Sequence, residues 1–194
     1  GFLRYICTEY LSLKMNFYIE TDRFIVREFR ETDLEDLFEL DSDPEVHKYL
    51  GNKPIVNKEE IEKDIEYVRQ QYKDHGIGRW MVEDKKTGEG IGWSGLKYET
   101  SDIDQSMYYD LGYRLKRKHW GKGIATETSE AAIEFGFDNL NLKMISAAAH
   151  KENGASNHIL QKLGFKQTNE FFWEKEPCFW YDLPLATYLK KTQQ

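Results

Sequence analysis

The chain has 194 residues, enough for one domain with a proper core, and its 40% apolar and 14% aromatic content excludes disorder even though 31% is charged. A net charge of −7 argues against nucleic acid as the main partner, because that binding rests on neutralising phosphates with a basic surface; a cationic substrate is mildly favoured by steering. Cys7 and Cys178 are too few for a disulfide framework, no Cys/His spacing suggests a metal site, and no apolar run approaches the roughly 18 residues a membrane span needs.

A reducing cytoplasm is therefore the default compartment. Residues 1–14 carry Arg4, Glu9 and Lys14 among apolar neighbours and lack a clean signal-peptide core. Because Met15 begins an ordinary-looking start, they read as an extension or an alternative upstream start before a single domain over 15–194.

Thr21 to Phe29 alternates as a strand does, and Thr32-Asp33-Leu34-Glu35 then reads as a capping box for a helix burying Leu34, Leu37 and Phe38. Asp43-Pro44-Glu45 starts a short second piece. Asn57 with Glu60 caps a longer helix carrying Ile61, Ile65, Val68 and Tyr72, which Gly76 and Gly78 stop. From Trp80 the period changes, and the segment through Gly88 and out along Ile91 to Leu96 predicts an antiparallel hairpin.

The polar loop Glu99 to Gln105 leads into a strand, Tyr109 to Leu115, on which the chain turns. A basic turn, Lys116 to Gly123, follows, and then a helix with Ile124, Ala125, Ala131, Ala132 and Phe135 on one face and Gly136 marking its end. Two glycines one residue apart at a strand-to-helix junction bring unpaired N–H groups and the positive end of the helix dipole together, which suits phosphate. The cluster Arg114, Lys116, Arg117, Lys118 and Lys122 can also be read as a solvated charged face.

Past this helix, Lys143 to His150 is a strand with small residues, and Asn153 opens a last helix with Ala155, Ile159 and Leu163 on its apolar side and Gly164 as its left-handed cap. Phe165 to Gln167 and Phe179 to Leu183 read as closing strands.

Spacing separates the phosphate motifs. A Walker-type loop fails because Gly123 follows Lys122 where Ser or Thr is needed, and the dinucleotide fingerprint wants glycine where Thr126 stands. What remains is Lys118, two spacers, Gly121, one spacer and Gly123 opening a helix, which resembles the Gln/Arg-x-x-Gly-x-Gly/Ala pattern of the GNAT superfamily of N-acetyltransferases. His119-Trp120-Gly121-Lys122-Gly123-Ile124-Ala125-Thr126-Glu127 looks most like the ribosomal-protein-alanine branch, and the resemblance covers Thr21 to Leu183.

That resemblance implies an α/β (α+β) fold with a central mixed, mostly antiparallel sheet splayed at a coenzyme A cleft and flanked by about four helices. It implies acetyl-CoA as co-substrate, held around Tyr113, Leu115, Lys116, Lys118, His119, Trp120, Gly121, Lys122, Gly123, Ile124 and Ala125, with Asn153, Ser156 and Asn157 from the later helix. Many members place the acid that protonates the departing thiolate one turn on, where Leu160 stands; the ribosomal branch uses the serine, here Ser156. Ser156 can equally be a first-turn capping hydroxyl, and Asn153 is a helix cap in either case.

For the base, Asp110, Glu174 and Glu176 compete with a water relay and with the reading of each as a surface carboxylate. An α-amine of pKa about 7.7–8.0 is about a tenth neutral at pH 7, against roughly 0.04% for lysine, so a site without a strong base suits N-terminal amines. The expected reaction is direct acetyl transfer to a protein or peptide α-amine. A small amine such as a polyamine, aminoglycoside or amino acid, or a non-catalytic coenzyme A-binding domain, is the alternative. The aromatic cluster Phe171, Phe172, Trp173, Phe179, Trp180 and Tyr181 reads as core, acceptor wall or dimer patch, so monomer and homodimer both stay open; His47, His75, His150 and His158 need no functional role.

Overall fold

The structure, a computed structural model, describes residues 18–192; Cys7 and the proposed extension over 1–14 with its start at Met15 lie outside that range. Eight strands form one sheet: β1 (Tyr18–Glu20), β2 (Phe24–Arg27), β3 (Trp80–Asp84), β4 (Gly90–Thr100), β5 (Met107–Leu115), β6 (Met144–His150), β7 (Lys166–Trp173) and β8 (Glu176–Pro184). Their order is β1-β2-β3-β4-β5-β6-β8-β7, and every neighbouring pair is antiparallel except β5 with β6.

Helices α1 (Leu34–Asp41) and α2 (Lys58–His75) cover one face, packing Leu37, Leu40, Ile61, Ile65 and Val68 around Met81 of β3. Helices α3 (Ile124–Glu134) and α4 (Gly154–Leu163) cover the other. There Ala131, Ala132, Leu160 and Leu163 meet Leu96, Leu111, Ile145, Ala147 and Tyr181 in the main core. Burying side chains of this size stabilises by about 1.5–3 kcal/mol each, so the two cores hold the helices to the sheet far more strongly than helix propensity does.

Several local signals act as their chemistry dictates. Asn57 accepts a hydrogen bond from Glu60 N–H and Gly76 closes α2 at φ +68; Asn153 accepts from Ser156 N–H, and Gly164 closes α4 at φ +101. Others are overridden by tertiary contacts. The Thr32 capping box gives way to a 3₁₀ turn over Glu31–Asp33, because the Asp33 carboxylate takes the buried Arg27 guanidinium at 2.8 Å and Arg30 N–H at 2.7 Å. The segment after Asp43 is a chain of turns, not a helix.

Gly136 does not end α3. The chain continues through a π turn over Phe135–Asn139, and the glycine serves packing, since a Cβ there would lie 2.8 Å from Leu96 Cδ1 and 3.0 Å from Ile145 Cδ1. Leu160, not Ala155, centres the buried side of α4, and Ala155 is exposed. The closing strands run longer than their apolar cores, pairing from Lys166↔Asp182 to Trp173↔Glu176, and a fifth helix, α5 (Leu185–Thr192), follows them.

Gly136→Ala should cost about 1–3 kcal/mol through overpacking. A urea midpoint lowered at unchanged slope would show it; an unchanged midpoint would mean that Leu96 and Ile145 yield freely.

Candidate active site

β5 and β6 are paired at one register position, Asp110↔Ser146. Beyond it the strands diverge, so residues 111–115 keep a ladder only with β4, and residues 147–150 only with β8. Side-chain alternation divides the gap into two faces. Leu111, Tyr113 and Leu115 point to the α3 side, where the two leucines are buried, and Asp110, Gly112 and Arg114 point to the α1 side. Across the gap Ala147 and Ala149 share the α3 side, while Ser146, Ala148 and His150 face the other way.

The turn from β5 into α3 begins as a 3₁₀ turn over Arg117–His119 and then passes through Gly121 and Gly123 at φ +72 and +74. Among the described residues, the amides of residues 121–126 donate no hydrogen bond to the protein; the first to do so is Glu127 N–H, to Gly123 O at 3.1 Å. A row of bare amides at a helix N-terminus is an anion site, and its size suits a pyrophosphate. Close approach of phosphate is not the only reason for the glycines. Both stand in the left-handed region that other residues rarely enter.

Most side chains of the basic run are paired within the protein. Lys116 is 3% exposed, and its Nζ lies 2.7 Å from Asp36, 2.6 Å from Glu39 and 3.1 Å from Glu89. Lys118 takes Glu39 and Glu89, His119 faces Glu89, Arg117 takes Asp43, and Arg114 takes Asp41, which also holds buried His47. The run is a docking strip for the acidic α1. The three carboxylates around Lys116 lie close enough together for a cation, and the lysine ammonium is that cation. The side chains of Lys116, Lys118 and His119 are thus engaged with carboxylates, and the N–H groups of Lys116 and His119 donate to Ile91 O and Lys116 O, while Lys122, whose ammonium rests on Lys118 O at 2.8 Å, has no carboxylate partner among the described residues.

Arg23, absent from the sequence reading, latches the turn from outside. Its guanidinium donates to Lys122 O at 2.9 Å and to Glu127 Oε2 at 2.7 Å, and its own N–H reaches Glu127 Oε1. Trp120 adds a second tie, its indole N–H donating to Leu115 O at 2.8 Å.

Residues 23–166 match the acetyltransferase (GNAT) domain family. The chain belongs to the GNAT acetyltransferases. It is 33% identical over 148 residues to the uncharacterized N-acetyltransferase p20 of Bacillus licheniformis, a match that covers 76% of this chain and 81% of that protein. Among solved structures, the spermidine N-acetyltransferase of Vibrio cholerae in complex with CoA and spermine superposes at a TM-score of 0.71, with 22% identity, over 87% of this chain and 99% of that one. The ribosomal-protein-S5-alanine acetyltransferase of Vibrio fischeri gives 0.70 and 20% identity over 88% and 97%. These last two likenesses show the fold. As a GNAT member the chain is an acetyl-CoA-dependent N-acetyltransferase, and the bare amides fit the carrier's pyrophosphate.

In this GNAT enzyme, Ser156 lies on the α3/α4 side of the gap, where its Oγ accepts the Tyr113 phenol at 3.0 Å. Leu160, 3% exposed, belongs to the core. Asn157 is fully engaged: its amide donates to the carbonyls of His150 and Lys151, and its carbonyl accepts the Tyr181 hydroxyl at 2.8 Å, which ties β6 and β8 to α4.

On the opposite face Asp110 is ion-paired with Arg79, whose other donors reach Gly95 O at 2.6 Å and Asp110 O at 2.7 Å. Burial pushes the Asp110 carboxyl up and Arg79 opposes it. The guanidinium lies over Gly112, where a Cβ would meet it at 2.6 Å, and both it and that of Arg114 lie over the Trp93 ring, at 5.2 and 5.1 Å. Glu174 stands in the β7–β8 turn, more than half exposed, 3.4 Å from Lys53. Glu176 pairs with His150 at 3.2 Å, and His150 packs on the Tyr49 ring, so this histidine has partners that no spacing signalled.

Gly123→Ala puts a Cβ into a left-handed position at a cost of about 1–2 kcal/mol. Calorimetry should show coenzyme A affinity falling roughly in proportion, about 5- to 30-fold, with thermal stability less affected. Glu89 is pushed up by burial, but hydrogen bonds from Lys118 and Lys116 outweigh this and hold it at about 2. Its folded value lies below the ordinary carboxylate value of about 4.3, so its contribution to stability is full above that pH and is lost as pH falls toward about 2. Glu89→Gln should flatten the melting-temperature profile in that window; a slope equal to that of the parent protein would mean that Glu89 is not linked to folding.

Proposed function

We propose that this N-acetyltransferase acts on the α-amine of a protein or peptide, transferring acetyl directly from acetyl-CoA within a ternary complex. The observation that carries the reading is the state of the carboxylates on the acceptor face. Asp110 is paired with Arg79, Asp41 with Arg114 and His47, Glu176 with His150, and Glu174 with Lys53. Each must loosen its ion pair to take a proton, and the Asp110 carboxyl is raised, by burial against the pull of Arg79. An acceptor whose amine is already partly neutral at pH 7 needs little help, and an α-amine of pKa about 7.7–8.0 meets that condition where a lysine side chain of about 10.4 does not.

Asp110 is the carboxylate best placed to take the proton, because it sits where β5 and β6 part and burial raises its basicity. Glu174 and Glu176 stand at the outer end of β8 and suit acceptor positioning. Beside Asp110 a groove of about 560 Å³ runs along Tyr108, Ser146, Trp180 and Asp182, with the Tyr108 and Trp180 rings in tilted contact at 4.7 Å. That volume leaves room for the residues that follow the reacting amine.

A second reading, a polyamine acceptor, is favoured by the acidic side chains around the same groove and by the net charge of −7. Thiol release measured with peptides bearing a free N-terminus, the same peptides Nα-blocked but containing lysine, and spermidine separates the two. Free-N-terminus peptides should lead the blocked ones by on the order of 100-fold at pH 7. Spermidine exceeding every peptide would replace the first reading with the second.

A further inference from the structure

We propose that Tyr113 is a catalytic residue in this reaction, supplying through Ser156 the proton that the departing thiolate takes up. The inference rests on the acetyl-transfer reading and goes beyond it in assigning the acid to a pair of side chains from two elements.

Tyr113 is the β5 residue whose side chain reaches α4, and it packs against the cluster that holds Leu115, Ile124 and Ala125. Its phenol donates to Ser156 Oγ at 3.0 Å, and Ser156 N–H is fixed by Asn153 Oδ1 at 3.1 Å. With Tyr113 as donor, the serine's own proton is left to point elsewhere, and Ser156 Oγ donates to no other group among the described residues. The pair is therefore a two-step donor, phenol to hydroxyl to gap.

A serine hydroxyl alone is a weak proton source. A phenol of pKa about 10 is much closer to a thiol of about 8.5, so the relay puts the stronger acid behind the geometrically available one. Burial pushes the Tyr113 phenol up, and the bond to Ser156 partly offsets this, so the proton stays in place at neutral pH. Leu160, one turn on from Ser156, lies inside the core and offers no proton.

The step balances. As the amine nitrogen forms its bond to the acetyl carbon, the carbon–sulfur bond breaks and its electron pair leaves on sulfur. Sulfur takes the Ser156 proton, Ser156 takes the Tyr113 proton, and the phenolate recovers one from water. The acetylated amine loses its extra proton on the opposite face, at Asp110 or to solvent.

The test uses Tyr113→Phe, Ser156→Ala and the double variant in the full chain. The first readout needs no acceptor: ultraviolet titration of the thiol of bound coenzyme A. A proton donor stabilises the thiolate, so each single variant should raise the bound thiol's apparent pKa by about half a unit or more, toward the free value of about 8.5. The double variant should go no further than the larger single. The second readout is kcat against pH with the best amine, expected to fall on the order of 10- to 100-fold in each single variant. The alkaline limb should disappear in Tyr113→Phe, with coenzyme A affinity within about two-fold of the parent.

Parent-like titration and kcat in Tyr113→Phe, or losses that multiply independently in the double variant, would overturn the relay. If Tyr113→Phe does not fold, Ser156→Ala decides alone, since parent-like behaviour there removes the only exit for the proton. A perturbed thiol without turnover on any amine would keep the dyad and count against the acceptor reading.

Discussion

A single pairing, Asp110 with Ser146, is all that joins β5 to β6 in the ladder. Unpaired strand edges inside a protein are costly unless water or a ligand satisfies them, so this parting of the sheet is either a defect or a site. The neighbouring ladders compensate for it. β5 is paired along its whole length with β4, from Gly92↔Leu115 to Thr100↔Met107, and β6 likewise with β8. Each half of the sheet is thus rigid by itself, and the gap keeps its width because both walls are fully supported from behind.

The gap also sorts the chemistry by side-chain parity. On β5, consecutive residues face opposite layers, so Asp110 and Tyr113 cannot meet on one face. The carboxylate stays with Arg79 under the α1 layer, and the phenol goes to Ser156 under the α4 layer. In the proposed reaction, proton removal and proton delivery would thus lie on opposite faces of the sheet. The alanines of β6 give this arrangement room, Ala148 remaining exposed on the acceptor side.

Electrostatics then fixes the cradle to the acceptor side. Lys116, Lys118 and Arg117 hold Asp36, Glu39 and Asp43 on and just after α1, and the buried ammonium of Lys116 is satisfied by three carboxylates at once. A buried charge left unpaired costs several kcal/mol, so the strip permits little freedom between α1 and the turn. What the turn leaves open to an anion is its backbone amides over 121–126, which the acidic surroundings cannot neutralise, and Lys122. An acidic protein can bind a pyrophosphate in this way without a basic surface.

The amino-acid sequence by itself determined most of what depends on neighbours along the chain, the Thr32 box being overruled by the Arg27–Asp33 pair. The Asn57 and Asn153 caps, the Gly76 and Gly164 stops, the Trp80–Leu96 hairpin and the Lys118-x-x-Gly121-x-Gly123 turn each carry their geometry in their own backbone preferences, and the turn's row of free amides was legible for that reason. Only the tertiary structure decided which charges meet. Lys116 finds Asp36 80 positions away, Arg23 finds Glu127 at 104, and Tyr113 finds Ser156 at 43. Gly136 likewise resembles a helix stop until Leu96 and Ile145 are seen to press against it. Periodicity and spacing report the conformation of a segment, whereas an ion pair, a relay or a packing contact depends on distances that exist only after the layers have stacked.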